Sequence, residues 1–291
     1  MTYKSILLPV TSDHPENGAA QLAAGLAREA EGVLRLLYPK GESIETARFR
    51  YPTLGESFFV QVKEASRQAA ESREQDTRAR LEKYISVHWP AGIASGQSEG
   101  GDAPTRLRWE PMDADPPDAI RLLGGLYDLL VLDDCGRANR DLVETALFQT
   151  GRPVLLVPDD TTRAPGSAVA RRAIVGWNRS TEAGRAVVTA LPLLQQAETV
   201  VICTIRTAAK QGPESSQLAD YLAHHGVNAE IVRPEPRARQ IGAVLLETAA
   251  EQDADLLVAG ANYGARLRRL TPGGVTAHLL QHARLPILLA H

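Results

Sequence analysis

Glycines in the segment 258–274 are spaced as in a loop that could hold a phosphate. The segment reads VAGANYGARLRRLTPGG, and its glycines form two clusters, Gly260 with Gly264 and Gly273 with Gly274. An apolar run precedes the segment and a helical pattern, VTAHLL, follows it. Backbone N–H groups at a glycine-lined turn and at a helix N-terminus approach phosphate oxygens closely, and the helix dipole favours negative charge there. The segment therefore predicts an anion site in front of a helix.

Other side chains that could do chemistry are few. His278 and His282 are four residues apart and would share one helix face, a spacing that can bind metal, but no third ligand is near in sequence. Asp133 and Asp134 could hold a cation or remain an unoccupied acidic turn. The chain contains none of the common motifs of P-loops, dinucleotide sites, serine hydrolases or zinc proteases. We therefore expect binding rather than catalysis.

Composition narrows the class of protein. With 291 residues, 44% of them hydrophobic, the chain can fill a substantial core. Its formal net charge of −3 gives no broad basic field for nucleic acid. No apolar run reaches the roughly eighteen residues of a membrane span, and the N-terminus, MTYKSILLPV, lacks a signal-peptide layout. Two cysteines, Cys135 and Cys203, fit a reducing compartment. We expect a cytoplasmic globular protein that binds neither nucleic acid nor membrane.

The elements that must position the glycine segment are repeated along the chain. Short runs rich in Val, Ile and Leu, which are typical of parallel strands buried on both faces, occur in three pairs: 6–11 with 173–178, 127–134 with 254–261, and 151–158 with 283–290. Between the runs lie amphipathic helical patterns, for example at 18–30, 183–196 and 241–252. Because strand and helix alternate, the sequence predicts an α/β fold.

A polar linker, DDTTRAPGS at 159–167, separates the two repeats and predicts one domain at 1–160 and a second at 168–291. The repeats differ in length between their last two strands, with 25 positions from Asp128 to Pro153 and 31 from Asp255 to Pro286. The six missing residues fall where the second repeat carries its glycine segment. The first domain is therefore expected to be degenerate as a phosphate site.

The first repeat is longer upstream of its fourth strand. There are 117 positions from Thr11 to Asp128 and 77 from Asn178 to Asp255, a difference of 40. The added residues include a charged helical stretch at 56–85 and a Gly/Ser-rich loop at 91–102. The middle of the helical stretch is charged on every face up to Leu81, Tyr84 and Ile85, which indicates an extra, solvated helix. A surface for a protein partner is the alternative.

These segments resemble the universal stress protein family (UspA-like), in its tandem form with two domains in one chain. The most specific segments follow the family's order in the second repeat: 177–187, 221–227, 245–261 and 267–290. The first repeat matches at its two ends. The resemblance implies two tandem five-stranded parallel-sheet domains, with helices on both faces, of the Rossmann-like adenine nucleotide alpha hydrolase-like type.

The resemblance also implies a nucleotide site in the second domain. ATP-binding members share a glycine, two residues, a second glycine, nine residues, and a third glycine followed by a small hydroxyl residue. Carried over without a gap, these four places fall on Gly260, Tyr263, Gly273 and Gly274. Gly264 could replace Tyr263 if the loop shifts its register. The helix that starts at Val275 and Thr276 would then face the phosphates.

Further family positions describe the rest of the site. The aspartate that the family places near the ribose is Asn178 here, which can still donate and accept hydrogen bonds. Trp177 could line a base site or cover the end of the sheet. Ile205 and Ala259 take the places where an adenine would pack, or they are ordinary strand-end residues.

The resulting expectation is a stress-related cytoplasmic protein that acts by binding, with ATP, accompanied by Mg²⁺, sensed by the second domain. The alternatives are a weak ATPase that uses the same loop, and a nucleotide-free module that recognises another protein. The apolar closing strands, VLLVP and ILLA, are expected to pair and so to join the two domains as an internal pseudo-dimer, because pairing removes exposed sheet edges. Two chains could pair again as a homodimer.

Overall fold

The structure is a computed structural model, which describes ten stretches of the chain: 2–12, 14–41, 71–86, 107–133, 140–158, 161, 170–205, 212–235, 240–261 and 274–291. Among the predicted site residues, Tyr263, Gly264 and Gly273 lie outside these stretches. The linker residues 162–169 also lie outside them, so the division into domains at 1–160 and 168–291 remains a prediction.

Strands and helices alternate along the first half, as the repeated pattern predicts. Its elements are β1 (Ser5–Pro9), α1 (Gly18–Glu29), β2 (Val33–Pro39), a helix α2 at 71–86, β3 (Leu107–Met112), α3 (Pro116–Leu123), a 3-10 turn (Gly124–Leu126), β4 (Leu129–Asp133), α4 (Arg140–Gln149) and β5 (Val154–Val157).

The second half repeats this order. Its elements are β6 (Arg172–Gly176), α5 (Thr181–Leu194), β7 (Thr199–Cys203), α6 (Ser215–His224), β8 (Ala229–Val232), α7 (Ile241–Glu251), β9 (Leu256–Gly260), α8 (Val275–His282) and β10 (Ile287–Ala290). None of the helices among the described residues is long and apolar enough to cross a membrane.

The ten strands form one sheet in the order β3-β2-β1-β4-β5-β10-β9-β6-β7-β8. All neighbouring strands are parallel except β5 and β10, which pair antiparallel with Leu155 opposite Leu288. The α/β fold with five strands from each repeat is therefore confirmed, and the expected pairing of the two closing strands is present. This pairing converts two five-stranded sheets into one continuous sheet and leaves neither closing strand as a free edge.

In each half of the sheet, there is a pair of neighbouring strands from which the later strands are added outward in opposite directions. In the second half, β6 leads to β7 and β8 on one side, whereas β9 leads to β10 on the other. The corresponding point in the first half lies between β1 and β4. In open α/β sheets, ligands bind outside the carboxyl ends of the strands at such a point. The fold thus offers two candidate positions, one in each half.

An aspartate before the fourth strand of each half holds the start of the first strand. Asp128 Oδ2 accepts from the Ser5 backbone N–H at 2.9 Å, and Asp255 Oδ1 accepts from the Arg172 N–H at 2.9 Å. In return, the N–H of Asp128 donates to the carbonyl of Ser5, and that of Asp255 donates to the carbonyl of Arg172. The internal repeat therefore extends to individual hydrogen bonds.

Two hydrophobic layers cover the sheet, one on each face. One layer contains side chains of α1, α2, α5 and α6, and the other contains side chains of α3, α4, α7 and α8. Both layers run through the two halves. Contacts outside the sheet also join the halves, because the Tyr3 hydroxyl donates to the carbonyl of Thr189 in α5.

The described part of the helical stretch predicted at 56–85 is a helix, α2, and residues 56–70 lie outside the described residues. Most residues of α2 are exposed, as expected for a solvated helix, but Leu81 and Ile85 are 0% and 1% exposed in the core. Along the chain, α2 lies between β2 and β3 as α6 lies between β7 and β8. Trp109 Nε1 also donates to Glu74 at 3.0 Å and so fixes α2 to β3. The helix is therefore solvated over most of its length and anchored in the core near its end.

Candidate functional site

The turn between β6 and α5 is held by its own side chains. Asn178 Oδ1 accepts from the Ser180 backbone N–H at 3.0 Å, and Ser180 Oγ accepts from the Ala183 N–H at 3.2 Å as the N-cap of α5. Between them, Arg179 has φ 65°, a left-handed conformation that is unfavourable for a residue with a side chain. Asn178 itself is exposed at the carboxyl end of the sheet.

Trp177 is buried and covers the end of the sheet, and its ring is not exposed at the strand ends. Its side chain is 5% exposed and belongs to the core layer shared with α5 and α6. Its Nε1–H donates to the carbonyl of Pro213 at 3.0 Å. Arg179 forms an ion pair with Glu214 from the same neighbouring turn. Of the two roles considered for Trp177, the geometry therefore fits the packing role.

The carboxyl end of β7 contributes a hydroxyl that the sequence did not single out. Thr204 follows Cys203, is 7% exposed, and its Oγ1 has no hydrogen-bond partner among the described residues. A buried polar atom without a partner is uncommon in native proteins and calls for an explanation such as water or a ligand. Ile205, the next residue, is half-buried. Burial raises the pKa of the Cys203 thiol to about 11, so the buried Cys203 has little thiolate character at neutral pH.

Gly260 at the end of β9 is needed for packing. A Cβ at this position would lie 2.4 Å from the backbone nitrogen of Ala183 and 2.7 Å from the carbonyl carbon of Glu182. Only a glycine therefore allows the first turn of α5 to approach β9 this closely. Ala259 is buried against the opposite layer, and its strand partner in β6 is Gly176. The packing contact also brings the backbone of Glu182 beside Gly260, which sequence spacing could not reveal.

The amino end of α8 is the other half of the predicted site. Gly274 is exposed and is the N-cap of α8, with no side-chain hydrogen bond to the first turn and no acidic residue in that turn. Val275 is half-buried, and Thr276 is 7% exposed. By contrast, the caps of α1 and α5 are satisfied by Asn17 and Ser180. Among the described residues, no side chain caps the first N–H groups of α8, and such groups at a helix N-terminus are suited to an acceptor from outside the helix.

The structure thus brings some predicted residues together and separates others. Strands β6 and β9 are parallel neighbours, so Asn178, two residues after β6, and Gly260, the last residue of β9, lie at the same end of the sheet. Ile205 follows β7 on the far side of β6.

The first half has a different arrangement at the matching edge. Asn17 Nδ2 donates to Asp133 Oδ2 at 3.1 Å, so a carboxylate stands at the end of β4 where Gly260 ends β9. Glu16 pairs with Arg80 of α2 at 2.5 Å, and the interaction with Arg80 lowers the pKa of the Glu16 carboxyl despite partial burial, which opposes it. A carboxylate at this position repels a phosphate.

The two histidines on α8 stack against each other. The rings of His278 and His282 are stacked with centroids 4.2 Å apart, and His282 Nδ1 lies 2.9 Å from the carbonyl of His278. Partial burial and the neighbouring His282 lower the pKa of His278. In the described stretches, no group of three or more His, Cys, Asp or Glu side chains could hold a metal ion.

Comparison with known proteins finds a family match for one part of the chain. Residues 170–291 match the family model described as the Universal stress protein family. Among curated proteins, none matches the sequence significantly.

Solved structures extend the likeness to the whole chain. A universal stress protein from Archaeoglobus fulgidus DSM 4304 aligns over 100% of this chain and 99% of its own, with a TM-score of 0.69 and 12% identity. A putative universal stress protein from Pseudomonas aeruginosa UCBPP-PA14 aligns over 99% of this chain and 93% of its own, with a TM-score of 0.52 and 16% identity. At these identities the likeness shows the fold alone.

A shorter universal stress protein, solved in complex with cAMP, aligns over 42% of this chain and 98% of its own, with a TM-score of 0.31 and 19% identity. A likeness of this size does not bear on the ligand of the present chain.

Proposed function

We propose that this protein acts in the cytoplasm by binding, and that its second half binds an adenine nucleotide at the carboxyl edge of β6 and β9. ATP accompanied by Mg²⁺ is the ligand we expect. The first half, whose matching edge carries Asp133, is proposed to serve a structural role. Stress response is the biological setting that the family match suggests.

The amino end of α8 is the observation that carries this proposal. In the part of the chain that the structure describes, no side chain caps its first turn, the turn contains no acidic residue, and Gly274 has no side chain of its own to cover the backbone N–H groups. Uncapped N–H groups at the positive end of a helix dipole are suited to phosphate oxygens. The phosphates would therefore be held by backbone N–H groups of Gly274, Val275 and Thr276. Magnesium would reach the site mainly through those phosphates, as is usual for this ion.

Two further features support the same edge. The strand order reverses between β6 and β9, and open α/β sheets bind ligands at such a point. The unpartnered hydroxyl of Thr204 lies at the carboxyl end of the neighbouring strand β7, beside Ile205. Asn178, which is exposed, keeps its amide Nδ2 for a ribose hydroxyl, although its Oδ1 is engaged by Ser180.

A nucleotide-free interaction module is the second candidate, and two contacts favour it. The polar groups predicted for a ligand are partly satisfied within the protein, because Asn178 Oδ1 accepts from Ser180 and Trp177 Nε1 donates to Pro213. In addition, the packing of β9 against α5 requires a glycine at position 260 whether or not a ligand binds. Under this candidate, the carboxyl edge would be a structural remnant, and another protein would be the partner.

Substitutions at Gly274 test the proposal by giving α8 a side-chain N-cap, which would compete with a phosphate for the N–H groups of the first turn. Both Gly274→Asp and Gly274→Asn place a side-chain oxygen at the N-cap, which stabilises a helix by a few tenths of a kcal/mol relative to glycine. Only the aspartate adds charge, and a like charge about 4 Å away costs about 4 kcal/mol at an effective dielectric constant of about 20. In calorimetric titrations with Mg-ATP, we expect the Asp variant to weaken binding more than about ten-fold and the Asn variant to weaken it less.

Comparing Gly274→Asp with Gly274→Asn separates the effect of the added charge from the effect of occupying the helix N–H groups. Thermal unfolding of both variants serves as the control, because neither should unfold earlier than the wild type. Equal Mg-ATP affinity in wild type and Gly274→Asp would show that the phosphates do not lie at the amino end of α8.

A further inference from the structure

Each half of the chain carries a charged residue immediately before the N-cap of the helix that follows its first strand. In the first half this residue is Glu16, which precedes Asn17, the N-cap of α1. In the second half it is Arg179, which precedes Ser180, the N-cap of α5. The two positions are equivalent in the repeat, but their charges are opposite. Of the two halves, the second therefore presents a cation at this position, at the end of the sheet where the ligand is proposed to bind.

Both charged residues pair with the helix that lies between the second and third strands of their half. Glu16 pairs with Arg80 of α2, and Arg179 pairs with Glu214, the N-cap residue of α6. The side chains of Arg179 and Glu214 are 30% and 56% exposed. Exposed ion pairs of this kind contribute little to stability, because water solvates both partners and screens their attraction. Arg179 can therefore exchange its partner at little cost.

The backbone of Arg179 is fixed in a conformation that is unfavourable for a residue with a side chain. Its φ is 65°, in the left-handed region that favours glycine. Its carbonyl packs closely against Gly212, because a Cβ added at Gly212 would lie 2.3 Å from the Arg179 oxygen. In the same turn, Trp177 is tied to Pro213 by the hydrogen bond from its Nε1–H. These contacts hold the Arg179 backbone in place, while its side chain remains partly exposed.

The strand order places Arg179 between the two parts of the proposed site. The phosphates are proposed at the amino end of α8, in the connection from β9 to β10, and Ile205 follows β7. Strand β6 lies between β9 and β7 in the sheet. A nucleotide that extends from α8 towards Ile205 would therefore cross the carboxyl end of β6, and Arg179 follows that end by three residues. A guanidinium binds phosphate oxygens through charge-assisted, often bidentate hydrogen bonds.

We propose that Arg179 is a ligand-binding residue that exchanges Glu214 for a phosphate group of the ligand. The inference rests on the proposed nucleotide function, and it adds a side-chain contact to phosphate and a competitor for that contact. Glu214 holds Arg179 in the ligand-free protein and lowers the affinity by competing with the phosphate. The equivalent position in the first half carries Glu16, a carboxylate that repels phosphate, so this residue also determines which half binds.

Four full-length variants test the exchange by calorimetric titration with Mg-ATP: Arg179→Gln, Glu214→Gln, the two combined, and Arg171→Gln as the control. The Glu214→Gln change keeps a side-chain oxygen at the N-cap of α6. The Arg179→Gln change leaves the strained backbone position occupied by a residue with a side chain. Arg171 forms a similar exposed ion pair with Glu198, but it lies just before β6, at the opposite end of the strand. Thermal unfolding should show that all four variants are folded at the titration temperature.

The expected changes in affinity have opposite signs for the two partners. Arg179→Gln should weaken Mg-ATP binding by about ten-fold or more, the size expected for loss of a hydrogen bond to a charged group. Glu214→Gln should strengthen it about two- to five-fold, because the phosphate no longer competes with a carboxylate for Arg179. The combined variant should bind as weakly as Arg179→Gln alone, since Glu214 acts through Arg179. Arg171→Gln should bind Mg-ATP as the wild type does.

The Glu214→Gln variant distinguishes an exchangeable ion pair from a purely structural one, because removing a structural pair would not strengthen binding. Unchanged or weaker binding in Glu214→Gln would overturn the exchange. Wild-type affinity in the combined variant would also overturn it, because the two charges would then act independently. If the wild type bound Mg-ATP and Arg179→Gln bound it equally well, this inference alone would be wrong. If neither the wild type nor Glu214→Gln bound Mg-ATP, the proposed nucleotide function would be wrong as well.

Discussion

Replacing Gly260 with alanine tests whether this glycine is present for packing. The added Cβ would lie 2.4 Å from the Ala183 nitrogen and 2.9 Å from the Ala183 Cα, whereas ordinary contacts begin near 3.4 Å. The first turn of α5 would have to move by about 1 Å, the difference between 3.4 and 2.4 Å. That turn cannot move freely, because Ala183 and Ala186 are 1% and 0% exposed in the core.

The size of the effect follows from this crowding. Overpacking a well-packed core costs about 1–3 kcal/mol. For a protein of this size, about 2 kcal/mol corresponds to a melting temperature lower by about 4–8 °C. Gly184→Ala is the matched control, because it changes a glycine in the same helix with nothing within 4 Å of the new Cβ. Alanine is favoured over glycine in a helix by about 1 kcal/mol, so this variant should melt higher.

Thermal unfolding without any nucleotide measures both variants. The expected result is a lower melting temperature for Gly260→Ala and a higher one for Gly184→Ala. If Gly260→Ala had the same melting temperature as the wild type, the close approach of β9 and α5 would not explain this glycine. A purely ligand-related role would then be favoured.

Three other residues give predictions of the same kind. Tyr3→Phe should lose about 1–2 kcal/mol of unfolding free energy in urea, because the hydrogen bond from Tyr3, which is buried, to the Thr189 carbonyl is lost; no loss would contradict this contact between the halves. Burial raises the pKa of Tyr3, so its contribution is present below pH of about 10 and lost as the pH rises further, and the difference between wild type and Tyr3→Phe should shrink there. In a Cys135→Ser background, Cys203 should react with a thiol reagent at pH 8 only as fast as the protein unfolds, since its pKa is about 11; labelling within seconds would contradict its burial. Asn17→Asp keeps the cap of α1 but places a second carboxylate beside Asp133, so it should be less stable than the wild type in urea, and more clearly so at low salt; equal stability would refute that proximity.

Much of the fold could be predicted because its signals are local and repeated. The buried strands β4 and β9 follow from apolar runs that begin after Asp128 and Asp255, and both aspartates recur for the same structural reason. The pairing of β5 with β10 followed from two apolar closing strands that would otherwise be exposed edges. The burial of Leu81 and Ile85 in α2 was harder to predict, because these two residues follow a stretch that is charged on every face.

The candidate site could be predicted only in part. Its strand ends were found from the glycines and from the order of the elements, but the partners of single side chains depend on tertiary contacts that no spacing encodes. The Pro213 carbonyl that takes the Trp177 N–H, the helix turn against Gly260, and the unpartnered hydroxyl of Thr204 all arise where distant segments meet. Tyr263, Gly264 and Gly273 remain predictions.

A calorimetric titration of the wild-type protein with Mg-ATP tests the central claim most directly. If the second half binds the nucleotide at the carboxyl edge of β6 and β9, the titration will show saturable binding with about one site per chain. If no binding heat is detected at high micromolar protein, at two temperatures, the carboxyl edge is not a nucleotide site and the nucleotide-free interaction module becomes the better account.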